Sequence, residues 1–499
     1  MNEDTIAAIA TPIGEGGISI IRLSGPQAFE IAEKIFQPLG RQAFADFPSH
    51  TVHLGNILEE HGEVLDQVLV TVFRHPNSYT GENLVEISSH GGLVITKKIL
   101  SRFLAQGARP AEPGEFTKRA FLNGKMDLAQ AEAVLDLIKA KSDRSAQTAI
   151  RQLTGSLSRK FKVIKDELMM MYAHMEAFLD FPDDDLEIFS DEKFTAKFSQ
   201  VQKEIEKLIA GFSRGSLIRE GASLVLIGKP NVGKSSLFNA LLARDRALVS
   251  EFPGTTRDIL EEAIEIQGWY LRLFDTAGLA SQAENPVEAM GMERTLQIME
   301  QASLFLFLVD GSQPLDEKDS YVFNLIPKNK IVIPIMNKTD LGLRANEHEL
   351  KKLLGGNNKL GFPAVIPSEA KDLKAETLHG VHSEPLHSVQ DDKQKNHIVK
   401  ISTKEREGLE LLEKQIAAQL AQGISGEEGE QITRLRHKVA LERALEALKR
   451  SAALFHQRES LEMVIEDLKS AIHELRELIG EVYSEDLLDV IFSKFCIGK

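Results

Sequence analysis

The chain predicts a multidomain α/β protein: a small α+β domain, then an α-helical bundle with a doubly wound P-loop sheet inserted in it. Three observations carry this. Residues 216–422 alternate short apolar runs with amphipathic stretches, the pattern of parallel strands joined by crossover helices. The apolar run 224–227 leads into Gly228-Lys229-Pro230-Asn231-Val232-Gly233-Lys234-Ser235, which fits G-x-x-x-x-G-K-[ST], and a helical stretch from Ser236 follows. The flanking segments 123–215 and 423–499 are helical, but neither looks self-sufficient, so one bundle built from both is the economical arrangement.

The first domain covers residues 1–122. Residues 17–23 alternate as a strand after a Gly-rich turn, 27–36 reads as a helix, and 68–74 and 83–88 read as strands. His90-Gly91-Gly92 punctuates before an amphipathic helix over 93–105. In the first helical segment Leu128, Ala131, Leu135 and Ile138 share a face and Gly155 breaks the pattern. Leu157, Phe161, Ile164, Leu168, Met171, Met175 and Phe178 then recur by fours and threes, the seam of a long bundle helix. Phe194, Phe198, Val201, Ile205 and Leu208 form the buried face of the next. In the C-terminal segment Leu435, Val439, Leu445, Leu448 and Ala452 line one face, and Leu461, Ile465, Leu468, Ile472, Leu475 and Ile479 another. Residues 343–396 lack clear periodicity, are long for a connection, and read as a largely mobile insertion in the 216–422 domain.

Composition bounds the rest. At 499 residues, 42% hydrophobic and 27% charged, the chain has room for about three ordinary globular domains. A net charge of −15 gives no global basic field, so a nucleic-acid partner must use a local patch. The basic stretch Arg434, Arg436, Lys438, Arg443, Lys449, Arg450 and Arg458 is the candidate, with a solvated helix face as the plain alternative. A single cysteine, Cys496, excludes an intrachain disulfide and fits a reducing compartment. The acidic start Met1-Asn2-Glu3-Asp4 has no apolar signal core, and no run is long enough to span a bilayer. A cytoplasmic protein without membrane contact is expected.

The inserted domain carries the chemistry. Gly228 and Gly233 let the backbone curl so that its N–H groups, with those of Asn231, Val232 and Ser236, face phosphate oxygens at a helix N-terminus. Lys234 reaches the β/γ-phosphates and the Ser235 hydroxyl ligates Mg²⁺. Downstream, Ser250-Glu251-Phe252-Pro253-Gly254-Thr255-Thr256 offers a loop in which Thr256 can complete the Mg²⁺ shell when a γ-phosphate is present. The strand 271–274 ends at Asp275-Thr276-Ala277-Gly278, an Asp for the Mg²⁺ surroundings and a Gly N–H for the γ-phosphate. The strand 331–335 ends at Asn337-Lys338-Thr339-Asp340, which decides the base. A carboxylate at Asp340 accepts from guanine N1–H and N2–H₂, and adenine would leave it unpaired. Ser402-Thr403-Lys404, after an alternating strand and before an amphipathic helix, is chosen over Ser368-Glu369-Ala370-Lys371 as the loop that meets guanine O6. These motifs, in this order at strand ends, point to GTP binding and hydrolysis.

The residue after Asp-x-x-Gly is Leu279, which cannot orient a water, so Glu284 or Glu288 must. Positive charge at the transition state comes from an arginine (Arg244, Arg246 or Arg257) or from a monovalent cation, for which the Asn231 amide is suitably placed.

Over nearly its whole length the sequence resembles one family, the bacterial MnmE (TrmE) tRNA-modification GTPases. The likeness rests on Ala10-Thr11-Pro12 with Gly16-Gly17, on Pro76-Asn77-Ser78-Tyr79-Thr80-Gly81-Glu82, and on the stretch from Pro113 to Lys125. Asp180-Phe181-Pro182 and the terminal Phe495-Cys496-Ile497-Gly498-Lys499 complete it, the last being very specific. The resemblance implies an N-terminal folate-binding and dimerisation domain, with Arg22, Glu86, Lys125 and Lys499 as contacts for a tetrahydrofolate derivative (5-formyl or 5,10-methylene). It also implies K⁺ held by Asn231, Ser250, Phe252 and Thr255 when two G domains pair, and Glu288 as the water-orienting residue. Lys234, Asn231 and Glu288 are then the catalytic set. A homodimer joined to the FAD-carrying partner MnmG in a heterotetramer, acting on C5 of the wobble uridine of certain tRNAs, is the implied assembly. Cys496 matches a family cysteine near the folate site, with nucleophilic and structural roles both open. A ribosome-assembly switch of the Era or EngA type is the rival, against which stand the N-terminal domain and the last residues of the sequence.

Overall fold

Alternation along β5 (Val64–Phe73) builds the first sheet: Val68, Val70 and Val72 are buried while Leu69 faces out. The computed structural model describes residues 4–180, 191–245, 261–275, 298–300, 302–328, 330–355, 398–422 and 430–499. It divides into two compact units, residues 1–139, 148–209 and 436–499, and residues 140–147 and 210–435.

In the first unit β1 (Ile6–Ile9), β2 (Gly16–Ser24), β3 (Phe36–Pro38), β4 (Thr51–Leu58), β5, β6 (Leu84–Gly91) and β7 (Arg109–Pro110) form a seven-stranded sheet in the order β3-β4-β5-β6-β2-β1-β7. Every pairing is antiparallel except β1 with β7. The helices Ala28–Glu33 and Leu93–Ala105 place Ile31, Ala32, Ile99 and Phe103 in the core with these strands. Two expectations are corrected here. The helix expected over 27–36 ends at Glu33, because Phe36 pairs opposite Ile57 as an edge strand and is buried there. His90 and Gly91 are strand, not punctuation: Gly91 lies opposite Gly16, so close that a Cβ would strike the Gly16 carbonyl.

The helices of this unit include Leu128–Ile138, Ser156–Asp180, Asp191–Ala210, Leu435–His456, Leu461–Ile479 and Glu485–Phe492. Asp127 and Gln130 close a capping box on the first of them, and Asp127 also accepts from Ser158. Along Ser156–Asp180 the buried seam runs from Leu157 to Met175, while Phe178 is exposed. On Leu435–His456 the expected face holds at Leu448 and Ala452, which are buried, and fails at Leu435. Leu435 is exposed, and the buried stripe is Ala440, Leu441, Ala444, Ala447, Leu448, Ser451 and Ala452. Four of these seven residues are alanine, and counting large aliphatics misses such a face.

In the second unit β8 (Ala222–Gly228), β9 (Glu261–Ile266), β10 (Trp269–Asp275), β11 (Leu304–Asp310), β12 (Ile331–Asn337) and β13 (Val399–Lys400) lie in the order β13-β12-β11-β8-β10-β9. All neighbours are parallel except β9 and β10, an antiparallel hairpin that adds an edge to the expected parallel sheet. The apolar runs are buried on both faces. Leu224 and Leu226 join the core with the helices Lys234–Asp245 and Leu409–Gln422, and Val225 and Ile227 join the other with Phe307 and Phe323. Of the expected insertion, residues 347–355 form the helix Glu347–Gly355 with Leu350 and Leu354 buried. Residues 356–397 lie outside the described residues.

Candidate functional site

Strand β8 ends at Gly228, pressed so close to β11 that a Cβ would meet the Leu308 carbonyl. The loop then needs two left-handed residues, Asn231 at φ 64° and Gly233 at φ 100°, before the helix from Lys234 begins. Val232 is buried behind the loop. The Lys234 ammonium donates to the carbonyls of Gly228 (2.8 Å) and Lys229 (2.9 Å). Burial pushes it below the usual lysine range, with Asp275 pulling the other way. The Ser235 hydroxyl donates to Asp275 Oδ2 at 3.0 Å, and Asp275 Oδ1 is buried without a hydrogen-bond partner. A hydroxyl beside a carboxylate with an unused buried oxygen fits Mg²⁺, which takes oxygen ligands and waters.

Strand β12 delivers Asn337, which is fully buried. Its amide donates to the Val232 carbonyl (2.8 Å) and the Thr403 hydroxyl (3.3 Å), and accepts from the Thr403 N–H (3.2 Å). One side chain thereby ties three loops. Lys338, at φ 64°, pairs with Asp310 at 2.7 Å. Burial raises the Asp310 carboxyl, but Lys338 and Ser312 outweigh it and hold it below the usual range. Ser402 is fully buried and donates to Asp340 Oδ1 at 2.6 Å while accepting from the Glu405 N–H. A cleft of about 570 Å³ results, lined by residues that include Asn231, Gly233, Lys234, Ser235, Ser236, Asn337, Lys338, Asp340, Thr403 and Lys404. That volume suits a nucleotide.

Ser250, Glu251, Phe252, Pro253, Gly254, Thr255, Thr256, Thr276, Ala277, Gly278 and Glu288 lie outside the described residues, as does the competing stretch 368–371. Lys229 carried no role in the sequence reading, yet it pairs with Asp319 (2.8 Å) and Asp316 (3.0 Å). The Asp316-x-x-Asp319 capping box was legible as a helix start; its pairing with a residue of the phosphate loop was not.

A second cluster sits in the first unit. Arg22 donates from Nε (2.8 Å) and Nη2 (2.6 Å) to Glu86 Oε1, and from Nη1 to the Gly498 carbonyl (3.2 Å). Its guanidinium lies 5.5 Å from the centroids of both Tyr79 and Phe116. The Lys499 ammonium is held below the usual lysine range by burial and by Arg22, with Glu86 and Cys496 acting against them. The structure thus brings Arg22, Glu86 and Lys499 together, with Cys496 exposed nearby. Two cations against one carboxylate, partly withdrawn from water, fit an anionic ligand. Lys125 donates to the Pro76 carbonyl (3.1 Å), at the start of the loop that carries Tyr79.

The basic helical stretch is largely neutralised. Arg436 is bound to buried Glu132, Lys449 to Glu206, Lys438 to Glu442, and Arg450 to Glu446 and Asp467. Arg434 is buried. The expected open basic face is therefore corrected: the pairs of Lys438 with Glu442 and of Arg450 with Glu446 lie within the helix itself, while Arg436, Lys449 and Arg450 reach carboxylates of other helices.

The family model for the MnmE helical domain matches residues 128–496, and that for the GTP-binding protein TrmE N-terminus matches residues 5–125. The chain is 41% identical over 498 residues to the tRNA modification GTPase MnmE of Thermoanaerobacter pseudethanolicus, covering 99% of each chain. The chain belongs to the MnmE family. The MnmE of Alkaliphilus oremlandii is 40% identical over 499 residues, with 100% of this chain and 99% of that one covered. Among solved structures, Era of Aquifex aeolicus is 24% identical, covering 45% of this chain and 66% of its own at a TM-score of 0.26, too low to carry an argument. As an MnmE-family chain with this cleft, the protein is a P-loop GTPase. Among the described residues no helix is long and apolar enough to cross a membrane.

Proposed function

We propose that this MnmE-family GTPase hydrolyses GTP to drive modification of tRNA. Working with an MnmG partner, it adds an aminomethyl or carboxymethylaminomethyl group to C5 of the wobble uridine (U34) of certain tRNAs. The observation that supports this best is the cleft in which Asn337 joins the phosphate loop to the guanine-reading Asp340 and to residues 402–404.

Within the cleft the backbone of residues 228–233 and the Lys234 ammonium take the β/γ-phosphates, and the Asp340 carboxylate takes the guanine edge. Ser235 and Thr256 would hold Mg²⁺, which neutralises phosphate charge when bound. K⁺ would sit on Asn231 with Ser250, Phe252 and Thr255, where it supplies positive charge in place of an arginine when two G domains pair. Glu288 orients the attacking water, since Leu279 cannot. In the first unit Arg22, Glu86, Lys125 and Lys499 take the tetrahydrofolate derivative, the carboxylate facing pterin N–H groups and the cations the glutamate tail. That derivative supplies the one-carbon unit, and the homodimer with its MnmG partner forms a heterotetramer in the cytoplasm.

Nucleoside analysis of tRNA from a strain lacking this gene tests the reading. Loss of the C5-modified wobble uridine, restored by the wild-type gene, is expected. Unchanged wobble uridine in the deletion strain refutes it.

A further inference from the structure

The phosphate loop contains a second lysine, and the structure turns it away from the cleft. The Lys229 ammonium lies 2.8 Å from Asp319 Oδ2 and 3.0 Å from Asp316 Oδ2. Asp316 caps the helix Glu317–Asn324, and Asp319 is its third residue, 2% exposed, also accepting from the Asp316 N–H at 3.0 Å. Asp319 Oδ1 is buried with no partner, so this carboxylate depends on the lysine for compensation. Although burial alone would lower the Lys229 ammonium, Asp319 and Asp316 outweigh it, and the pair stays charged.

What the pair holds is the backbone between two lysines. The Lys229 carbonyl is one of the two that accept from Lys234 Nζ, at 2.9 Å. An ammonium has three donors, and a carbonyl that fixes one of them also fixes where the others point. The chain of contacts runs from Asp319 to the Lys229 side chain, through the Lys229 peptide, to the Lys234 ammonium. Pro230, next in sequence, has a fixed φ, so this side of the loop has few other ways to move.

We propose that Lys229 is a positioning residue for nucleotide binding. Anchored on Asp319 and Asp316, it holds its own carbonyl where that carbonyl aims the Lys234 ammonium at the phosphates. The same anchoring keeps the Lys229 charge out of the cleft, so a single lysine defines where the phosphates sit. This rests on the reading of Lys234 as the phosphate-binding lysine, and the test separates the two.

The experiment measures affinity for a fluorescent GTP analogue and for GDP on the full-length chain, with thermal unfolding as the folding control. Lys234→Ala tests the underlying reading and must lose nucleotide affinity; if it does not, the phosphate-site assignment itself is wrong. Lys229→Met is expected to weaken both nucleotides about tenfold, a factor typical of a lost ion pair that positions a binding group. Lys229→Arg is expected to restore affinity to within about threefold, because its guanidinium can reach the same carboxylates. The deciding measurement is the double variant. In a Lys234→Ala background Lys229→Met is expected to cost nothing further, because there is no ammonium left to aim. A purely structural lysine would lower affinity by the same factor in both backgrounds, and that additivity overturns the proposal. Wild-type affinity in a folded Lys229→Met chain overturns it as well. If Lys229→Met does not fold, Asp319→Asn keeps the helix cap, removes the charge and enters the same cycle with the same expected non-additivity.

Discussion

Asn337→Ala probes whether one buried amide holds the nucleotide cleft together. The side chain makes three hydrogen bonds, to the Val232 carbonyl, the Thr403 hydroxyl and the Thr403 N–H, and none of its surface is exposed. At about 1 kcal/mol net for each bond between neutral groups, their loss weakens the assembled cleft by about 3 kcal/mol. With about 1.4 kcal/mol per factor of ten, nucleotide affinity falls roughly 100-fold. Asn337 lies at the base end of the cleft and not at the γ-phosphate, so GTP and GDP should weaken by the same factor. Equilibrium titration of fluorescent GTP and GDP analogues measures this, with an unfolding curve to show that the variant is folded under the assay conditions. A folded Asn337→Ala protein that binds GTP within threefold of wild type refutes the reasoning, as does a loss confined to GTP.

Gly233→Ala should abolish nucleotide binding in a folded chain, because φ is +100° there and an added Cβ would collide with the Asn337 amide; normal GTP retention by that variant contradicts the loop geometry. GTP turnover should be faster in K⁺ than in Na⁺, and Glu288→Ala should bind GTP normally but hydrolyse it more slowly; equal rates in the two salts remove the cation from the mechanism, and normal turnover removes Glu288. Burial opposes ionisation of Glu115, yet Arg109, the Glu112 N–H and Arg119 outweigh it and hold its carboxyl below the ordinary 4.5. A depressed native value means the stabilisation is complete above that ordinary value and is lost as pH falls through the lower native one. The unfolding midpoint of the first unit should therefore drop in acid, and Glu115→Gln should flatten the drop, which a differential scanning calorimetry series between pH 6 and about pH 3 would show or deny.

The parts of the fold read correctly from the sequence are those with a local cause. The phosphate loop, the strands that end at Asp275 and Asn337, and the seam from Leu157 to Met175 each follow from spacing within a dozen or so residues. The errors have a non-local cause. Phe36 is strand because Ile57 lies opposite it, not because of its neighbours in sequence. An exception is the helix Leu435–His456, which buries a stripe rich in alanine, a face that a count of large aliphatics does not reveal. Arg436 reads as a surface cation until Glu132, some three hundred residues earlier, is seen to bind it. The candidate site divides in the same way. Asn337 and Asp340 announce themselves by motif, whereas the Lys229 pairing with Asp319 and the meeting of Arg22 with Gly498 exist only once the chain has folded.

That last contact has a consequence for the order in which the molecule is made. Arg22 bonds a carbonyl 476 residues downstream, and Gly498, at φ 91°, is packed so tightly on Ile9 and Ala10 that a Cβ would strike the Ile9 carbonyl. Synthesis runs from the N-terminus, so β1 and β2 leave the ribosome long before their partner exists. The first sheet has to wait with this corner open while the bundle and the nucleotide sheet are translated. Only after the residues around 495–499 emerge can the cluster of Arg22, Glu86 and Lys499 close, so a chain cut short of them lacks that cluster even when its first sheet is whole.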